Sequence, residues 1–296
     1  MKTSGLAIFV LVYGCFSVVV GLFWINSFLT ISMLVCVPML IVGVVAIVDI
    51  RSNKGQKKGV SLAVLGILLN GVTVGFCIVQ VREAAARSES QNNLRMLSDG
   101  MHNFDSALLR LPLVDSLSTT QEMGGEELEP IPPVGLSWRV KLLPTLEASP
   151  LPTRFRSNES WNSPHNLKHL KPIPRMYLYP DDSRDGSETP YRVFYGEGAA
   201  FAPKQTLKIS QIEDADGTAN TILIVEANET VLWTKPAPLP FTKTGPLPPL
   251  GREHGPFFAA IADGSIRSIP ENVNPKVLRG AITWKGGEPS IPDKEW

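Results

Sequence analysis

The N-terminal third of the chain contains three long hydrophobic runs with almost no charge. They cover residues 6–24, 28–48 and 60–79. Each run is close to the ~20 residues that an α-helix needs to cross a lipid bilayer. A cleavable signal peptide is a poorer interpretation of the first run, because the second run follows at once and no small-residue cleavage pattern is present. The pattern therefore predicts three transmembrane helices.

The third run is followed by a polar stretch that keeps a helical periodicity. Residues 82–109 contain no proline and are rich in residues that favour helices. Apolar side chains recur there at steps of three and four, which places them on one face of a helix. This apolar stripe consists of Leu94, Leu97, Met101, Phe104 and Leu108. With no turn residues between the two parts, we expect one helix of roughly 75 Å that starts in lipid and leaves it carrying an apolar face.

The C-terminal part alternates between strand patterns and turn residues. Residues 191–201 and 220–227 have the pattern of strands, the second of them buried. Residues 257–262 and 265–269 flank Asp263-Gly264, which predicts a hairpin with a two-residue turn that pairs Ile261 with Ile266 and Phe258 with Ile269.

Three other segments complete the predicted elements. Asn274-Pro275 begins a short helix that runs to about Ile282. Residues 137–146 form either a strand or a helical turn, and the proline-rich residues 235–251 form a stiff, unpacked loop. The fold class predicted is α+β, with the long helix packed on an antiparallel sheet.

Charge divides the chain near residue 81. Residues 1–81 carry five basic residues against Asp49, a balance of +4, whereas the rest of the chain has a balance of −4. Four of those basic residues lie in the loop 51–58, and basic loops stay in the cytoplasm. We therefore predict a three-span anchor over 1–81 in the cytoplasmic (inner) membrane and an extracytoplasmic domain over 82–296.

The charge balance and the cysteines also narrow the range of partners. A weakly acidic outer domain without Lys/Arg clusters argues against nucleic acid. All three cysteines lie in the apolar runs, so the outer domain has neither a disulfide framework nor a cysteine metal site. The expected partners are the lipid bilayer and other envelope proteins or a second copy, the latter through the small-xxx-small pair Gly71 and Gly75.

Several blocks of the outer domain occur in the order found in a known family. The blocks are residues 82–95 (REAAARSESQNNLR), His102-Asn103, 137–144 (SWRVKLLP), 161–166 (WNSPHN), 216–222 (DGTANTI), Val225-Glu226 and 262–267 (ADGSIR). With these blocks the chain resembles domain-of-unknown-function family 1559, a bacterial prepilin-like family with a C-terminal His…Asp-Gly signature, here fused to a small multi-span membrane module over residues 44–71. The resemblance implies a pilin-like fold over 82–288, although the chain lacks the prepilin peptide of most members.

His254, Asp263 and Glu226 are the candidate acid–base residues. Together they could support a hydrolase. However, Asp before Gly is also what a tight turn requires, so the segment with His254, Asp263 and Gly264 has a structural interpretation. We favour the structural interpretation, and a hydrolase that depends on His254 stays as the alternative.

Metal and glycan binding are weaker hypotheses. His165 and His169 are four residues apart, and Asp181, Asp182 and Asp185 form half of a calcium-loop pattern. Trp138, Trp161 and Trp233 could stack on a sugar. No cofactor is expected. The sequence thus favours a membrane-anchored, non-enzymatic, pilin-like protein with a structural or interaction role, and a calcium- or glycan-binding surface module is a further alternative.

Overall fold

The computed structural model describes residues 2–23, 29–52, 57–114, 135–146, 154–180, 186–203, 205–251 and 255–286. The chain divides into two compact units, Met1–Arg87 and Ser88–Trp296. The described residues form a mixed helical and sheet structure that contains an antiparallel sheet and one long apolar helix.

The first unit is built from helices. Helix α1 spans Gly5–Phe23, α2 spans Leu29–Ser52, and α3 begins at Val60. Two very short strands, β1 (Lys2–Thr3) and β2 (Lys57–Lys58), pair in parallel. The N-terminus and the end of the basic loop therefore lie side by side. Within the described residues, α3 is long and apolar enough to cross a membrane, judged by length and composition.

Small residues set the contacts among these helices. A side chain at Gly66 would meet the backbone oxygen of Val10 at 2.8 Å, so α1 and α3 approach closely there. Asn70 is fully buried, and its Nδ2 donates to the Gly66 carbonyl oxygen at 2.8 Å. This hydrogen bond is made within its own helix. A side chain at Gly71 or Gly75 would meet nothing within 4 Å.

Helix α3 is continuous over 49 residues, Val60–Leu108. The chain leaves the helical conformation at Leu109, whose φ is 55°, and Pro112 follows. The expectation that Leu108 belongs to the buried stripe was wrong: its side chain is 52% exposed because it is the last helical residue before the chain turns. The other stripe residues are buried in the core of the second unit, namely Leu94, Leu97, Met101 and Phe104.

The second unit contains a four-stranded antiparallel sheet. The strands of this unit are Glu188–Arg192 (β3), Phe194–Gly196 (β4), Ile222–Leu232 (β5), Leu239–Phe241 (β6), Phe257–Ile261 (β7) and Ile266–Ile269 (β8). The spatial order of the four-stranded sheet is β3-β5-β7-β8, and β4 and β6 form a separate parallel pair.

Both faces of this sheet are covered. Side chains of a strand point alternately to opposite faces, and in β7 Phe258 joins the core that contains the α3 stripe. Its neighbour Phe257 joins a second core with Leu278 and Ile282 of helix α6, Pro275–Ile282. The α6 bounds agree with the prediction, and Asn274 caps the helix by accepting a hydrogen bond from the Lys276 N–H at 3.0 Å. The unit therefore has three layers.

The hairpin between β7 and β8 is shifted by one residue from the predicted pairing. Ala260 faces Ile266 and Phe257 faces Ile269. The predicted pairs were wrong because both favoured two-residue turns, types I′ and II′, need positive φ at the first central residue, which here would be Asp263. In the described part of the chain Gly264 has a φ of 89°, whereas Asp263 is not among the positive-φ residues. The loop consequently takes in Ala262 as well, and the Ile261 N–H donates to the Ser265 carbonyl.

Two further segments differ from the prediction, and a third decides between two predicted alternatives. The proline-rich segment is packed, because β6 pairs with β4 and buries Leu239 and Phe241. Residues 191–201 form parts of two strands in place of one. Of the two alternatives for residues 137–146, the helical one is present, as helix α4 (Trp138–Leu142) with a 3₁₀ turn after it.

Candidate functional site

The Asp263-Gly264 turn lies at one end of β7 and β8. Asp263 Oδ1 accepts hydrogen bonds from the N–H and the hydroxyl of Ser265, at 2.8 and 2.6 Å. The Gly264 N–H donates to the Ile261 carbonyl at 3.0 Å. The carboxylate is thus used within the turn. His254, the candidate acid–base partner, lies outside the described residues.

A helical histidine lies next to this turn. A side chain at Gly264 would lie 3.8 Å from His102 Nε2. That nitrogen is buried and has no hydrogen-bond partner among the described residues, and the same holds for Ser98 Oγ one helical turn earlier. Ordered water molecules commonly satisfy such buried polar atoms. The structure therefore brings His102-Asn103 and Asp263-Gly264, two separate blocks of the sequence, to one place.

Glu226 of β5 is the centre of a buried polar network. One carboxylate oxygen accepts a hydrogen bond from the Ser90 hydroxyl of α3, and the other accepts from the Phe258 N–H at 2.8 Å. Ser90 Oγ also lies 2.8 Å from the Tyr191 hydroxyl, and Asn93 Nδ2 donates to that hydroxyl at 3.4 Å. The residue Glu226 is 4% exposed. The network links α3 to β3, β5 and β7.

Burial keeps the Tyr191 hydroxyl of this network uncharged. Burial raises the pKa of Tyr191, and the nearby Glu226 raises it further, while the hydrogen bonds from Ser90 and Asn93 act in the opposite direction. Tyr191 is therefore a neutral phenol at any physiological pH, able to donate one hydrogen bond. The geometry suits a chain of donors that ends on the Glu226 carboxylate.

Arg139 of α4 is buried without a carboxylate within salt-bridge distance among the described residues. Its Nε donates to the Tyr191 carbonyl oxygen at 2.9 Å and its Nη1 to Ser137 Oγ at 3.0 Å. The guanidinium carbon lies 4.9 Å from the Trp138 ring centroid. Burial lowers the pKa of Arg139 to about 9, so the group stays charged at neutral pH. Carbonyl dipoles and an aromatic face take the place of a counter-ion.

The predicted sugar-stacking tryptophans have mainly structural roles. Trp138 is 1% exposed and Trp233 is fully buried, so neither can offer a platform to a glycan. Trp233 stacks on Tyr177 with ring centroids 5.7 Å apart, and its Nε1 donates to the Leu170 carbonyl at 2.9 Å. Trp161 is partly exposed, with Lys235 Nζ 5.6 Å from its ring.

The two candidate metal-binding histidines lie beside this aromatic core. His165 and His169 have ring centroids 5.1 Å apart in an edge arrangement, and His165 Nε2 lies 2.9 Å from the Arg154 carbonyl oxygen. Desolvation lowers the pKa of His169, and the charge of His165 adds to this. In the described part of the chain no group of three or more His, Cys, Asp or Glu residues is arranged to hold a metal ion. Asp181, Asp182 and Asp185 lie outside that part.

A separate open cleft of about 360 Å³ lies between the proline-rich segment and the sheet. Arg192 and Glu229 contribute the charged groups of its lining. Sequence reasoning missed this cleft because it treated residues 235–251 as unpacked. The signal in the sequence that could have revealed it is the presence of two apolar residues, Leu239 and Phe241, within an otherwise proline-rich stretch.

The fold and these contacts define a class of protein: an α+β domain in which a long helix covers one face of an antiparallel sheet. Comparison with family models gives the next step. The family described as "Protein of unknown function (DUF1559)" matches residues 79–209. This match confirms the resemblance over that segment. The match ends before the Asp263-Gly264 turn, so the C-terminal signature and the fused membrane module stay predictions.

Two other comparisons give no relative. The chain matches none of the curated proteins. It also matches no solved structure.

Proposed function

We propose that this protein is a membrane-anchored, non-enzymatic protein that displays a pilin-like domain outside the cytoplasmic membrane, where it has a structural or interaction role. The observation that supports this proposal is that the apolar side chains of α3 are exposed in its first part and buried in its second part. Large apolar side chains such as Val64, Leu68 and Val72 are exposed in its first part. Leu94 and Leu97, in its second part, are fully buried in a domain core. Lipid is the natural solvent for the first part.

The proposal includes three membrane spans with both basic segments in the cytoplasm. Helices α1 and α2 have 19 and 24 residues, and bilayer crossing takes about 20. The parallel pairing of Lys2–Thr3 with Lys57–Lys58 supports a common side for the N-terminus and the basic loop. The positive-inside rule then orients residues after α3 outward. Self-association through Gly71 and Gly75 is part of the same proposal.

The non-enzymatic part of the proposal is supported by how the polar motif residues are used. Asp263 bonds its own turn, and both carboxylate oxygens of Glu226 are occupied by buried donors. A general base needs a substrate within hydrogen-bond reach. Both groups instead hold the fold together.

Photo-crosslinking in the intact native envelope tests the interaction role. A photoreactive residue is placed in the full-length protein at one exposed site at a time, such as Met96 or Leu167 of the domain. The proposal expects discrete cross-linked species, with a second copy or another envelope protein, from a subset of the sites. A buried site such as Leu97 is the matched control and should give none.

The absence of any cross-linked species from every exposed site, with the domain displayed normally, contradicts an interaction role. The hydrolase alternative has its own outcome. If His254→Ala removes a measurable hydrolytic activity of the full-length protein and leaves its thermal stability unchanged, the non-enzymatic proposal is wrong.

A further inference from the structure

The cleft beside the proline-rich segment has two chemically different parts. Its walls are apolar, and its charged groups are one guanidinium and one carboxylate. The apolar wall is formed by Leu239, Pro240, Pro246, Leu247, Pro248 and Pro249. Its volume of about 360 Å³ lies at the small end of ligand pockets, which span roughly 300–1,000 Å³. The cleft therefore suits a small ligand.

Arg192 is held rigidly but keeps free donors. It is 9% exposed, its Nε donates to the Ala237 carbonyl at 2.8 Å, and its Nη2 donates to the Pro238 carbonyl at 3.0 Å. Its Nη1 makes no hydrogen bond to any residue in the described ranges. A guanidinium fixed in this way is suited to bind a carboxylate, because its N–H groups are already oriented.

Glu229 supplies the opposite charge. It follows Ala227 and Asn228, where β5 bulges between its pairings Tyr191↔Glu226 and Thr189↔Val231 with β3. Its side chain is exposed and makes no hydrogen bond or ion pair with the described residues. Desolvation lowers the pKa of Arg192, and the charge of Glu229 partly offsets this effect. The two groups therefore interact electrostatically without forming a direct ion pair.

We propose that this cleft binds a small zwitterion with an apolar side chain, of the size of a free amino acid or a dipeptide. Its carboxylate accepts from Arg192 Nη1, its ammonium donates to Glu229, and its side chain packs on the proline and leucine wall. A simple anion fits less well, because Glu229 repels it. A simple cation fits less well, because Arg192 repels it. The inference goes beyond the structural role proposed above and does not depend on the membrane topology.

Isothermal titration of the full-length protein in detergent tests this proposal with four probes. L-Leucine and L-leucyl-L-leucine carry both charges, 4-methylpentanoate lacks the ammonium, and 3-methylbutylamine lacks the carboxylate. We expect at least one of the two zwitterions to bind about tenfold or more tightly than either half-ligand, since each half-ligand lacks one of the two charged hydrogen bonds. Binding of leucine alone identifies a free amino acid as the ligand, and binding of the dipeptide identifies a peptide.

Glu229→Gln tests the site, because an exposed residue can be changed without unfolding the protein. It should weaken zwitterion binding about tenfold and leave 4-methylpentanoate binding no weaker. Glu213→Gln, at an exposed position of helix α5 (Ile209–Glu213), is the matched control and should change nothing. The proposal is overturned if neither zwitterion binds, if 4-methylpentanoate binds as tightly as the tighter-binding zwitterion, or if the two variants behave alike.

Discussion

A buried carboxylate needs several hydrogen-bond donors, because a polar or charged group is costly to bury without partners. Glu226 meets this requirement through the Ser90 hydroxyl and the Phe258 N–H. Both contacts come from other elements, so the group fixes the position of α3 along the sheet. Glu226, one of the three candidate acid–base residues, is thus part of the attachment between helix and sheet.

Ser90→Ala tests this attachment. The change leaves a buried carboxylate oxygen and the Tyr191 hydroxyl short of a partner, and we expect the free energy of unfolding to fall by about 1–3 kcal/mol. Ser88→Ala is the matched control, since Ser88 is exposed on the same helix, and it should stay within about 0.5 kcal/mol. Chemical denaturation of the full-length protein measures both. Equal effects of the two changes would show that the network does not stabilise the fold.

Single residues were the least predictable part of the site. The apolar rings of Trp138 and Trp233 are compatible with a surface or a core, and only long-range packing decides between them. Glu226 is similar, because the residues that bond it lie 136 and 32 positions away in the chain. Local pattern carries no information on such partners. Asp263 was predictable, since its role depends on its immediate neighbours.

Helix α3 was predictable at the scale of elements. Its period of three and four and the lack of turn residues describe the helix and its buried face, which covers Leu94, Leu97, Met101 and Phe104. Its end was less clear, because Leu108 continues the periodicity while the backbone does not. The hairpin shows the same limit. Asp-Gly identified the turn, but a choice between two-residue and three-residue loops depends on which residues accept positive φ.

Leu97→Ala and Leu108→Ala form a matched pair on this helix. Leu97 is fully buried, so its truncation should lower the free energy of unfolding by about 2–5 kcal/mol. Leu108 is exposed, and its truncation should change stability by less than about 0.5 kcal/mol. Urea or thermal unfolding followed by circular dichroism measures the difference. A loss for Leu97→Ala as small as for Leu108→Ala would mean that the helix face is not part of the core.

The whole molecule joins a hydrophobic unit and a folded domain through one uninterrupted helix. Both the three apolar runs and the α+β class were visible in the sequence, because hydropathy and periodicity are local properties. The sequence did not show that the second face of the sheet is also covered. Helix α6 and the strand β6 pack there, and proline content alone concealed β6. The cleft at this face followed from that packing, so it could not be predicted either.

The central claim is that the domain after α3 lies outside the cytoplasmic membrane on a three-span anchor. A phosphatase reporter that is active only outside the cytoplasm, fused after Trp296, tests it most directly. The same reporter fused after Lys58 serves as the cytoplasmic control. The account predicts high activity for the Trp296 fusion and background activity for the Lys58 fusion. Background activity after Trp296, with the fusion protein present at a normal level, would contradict it.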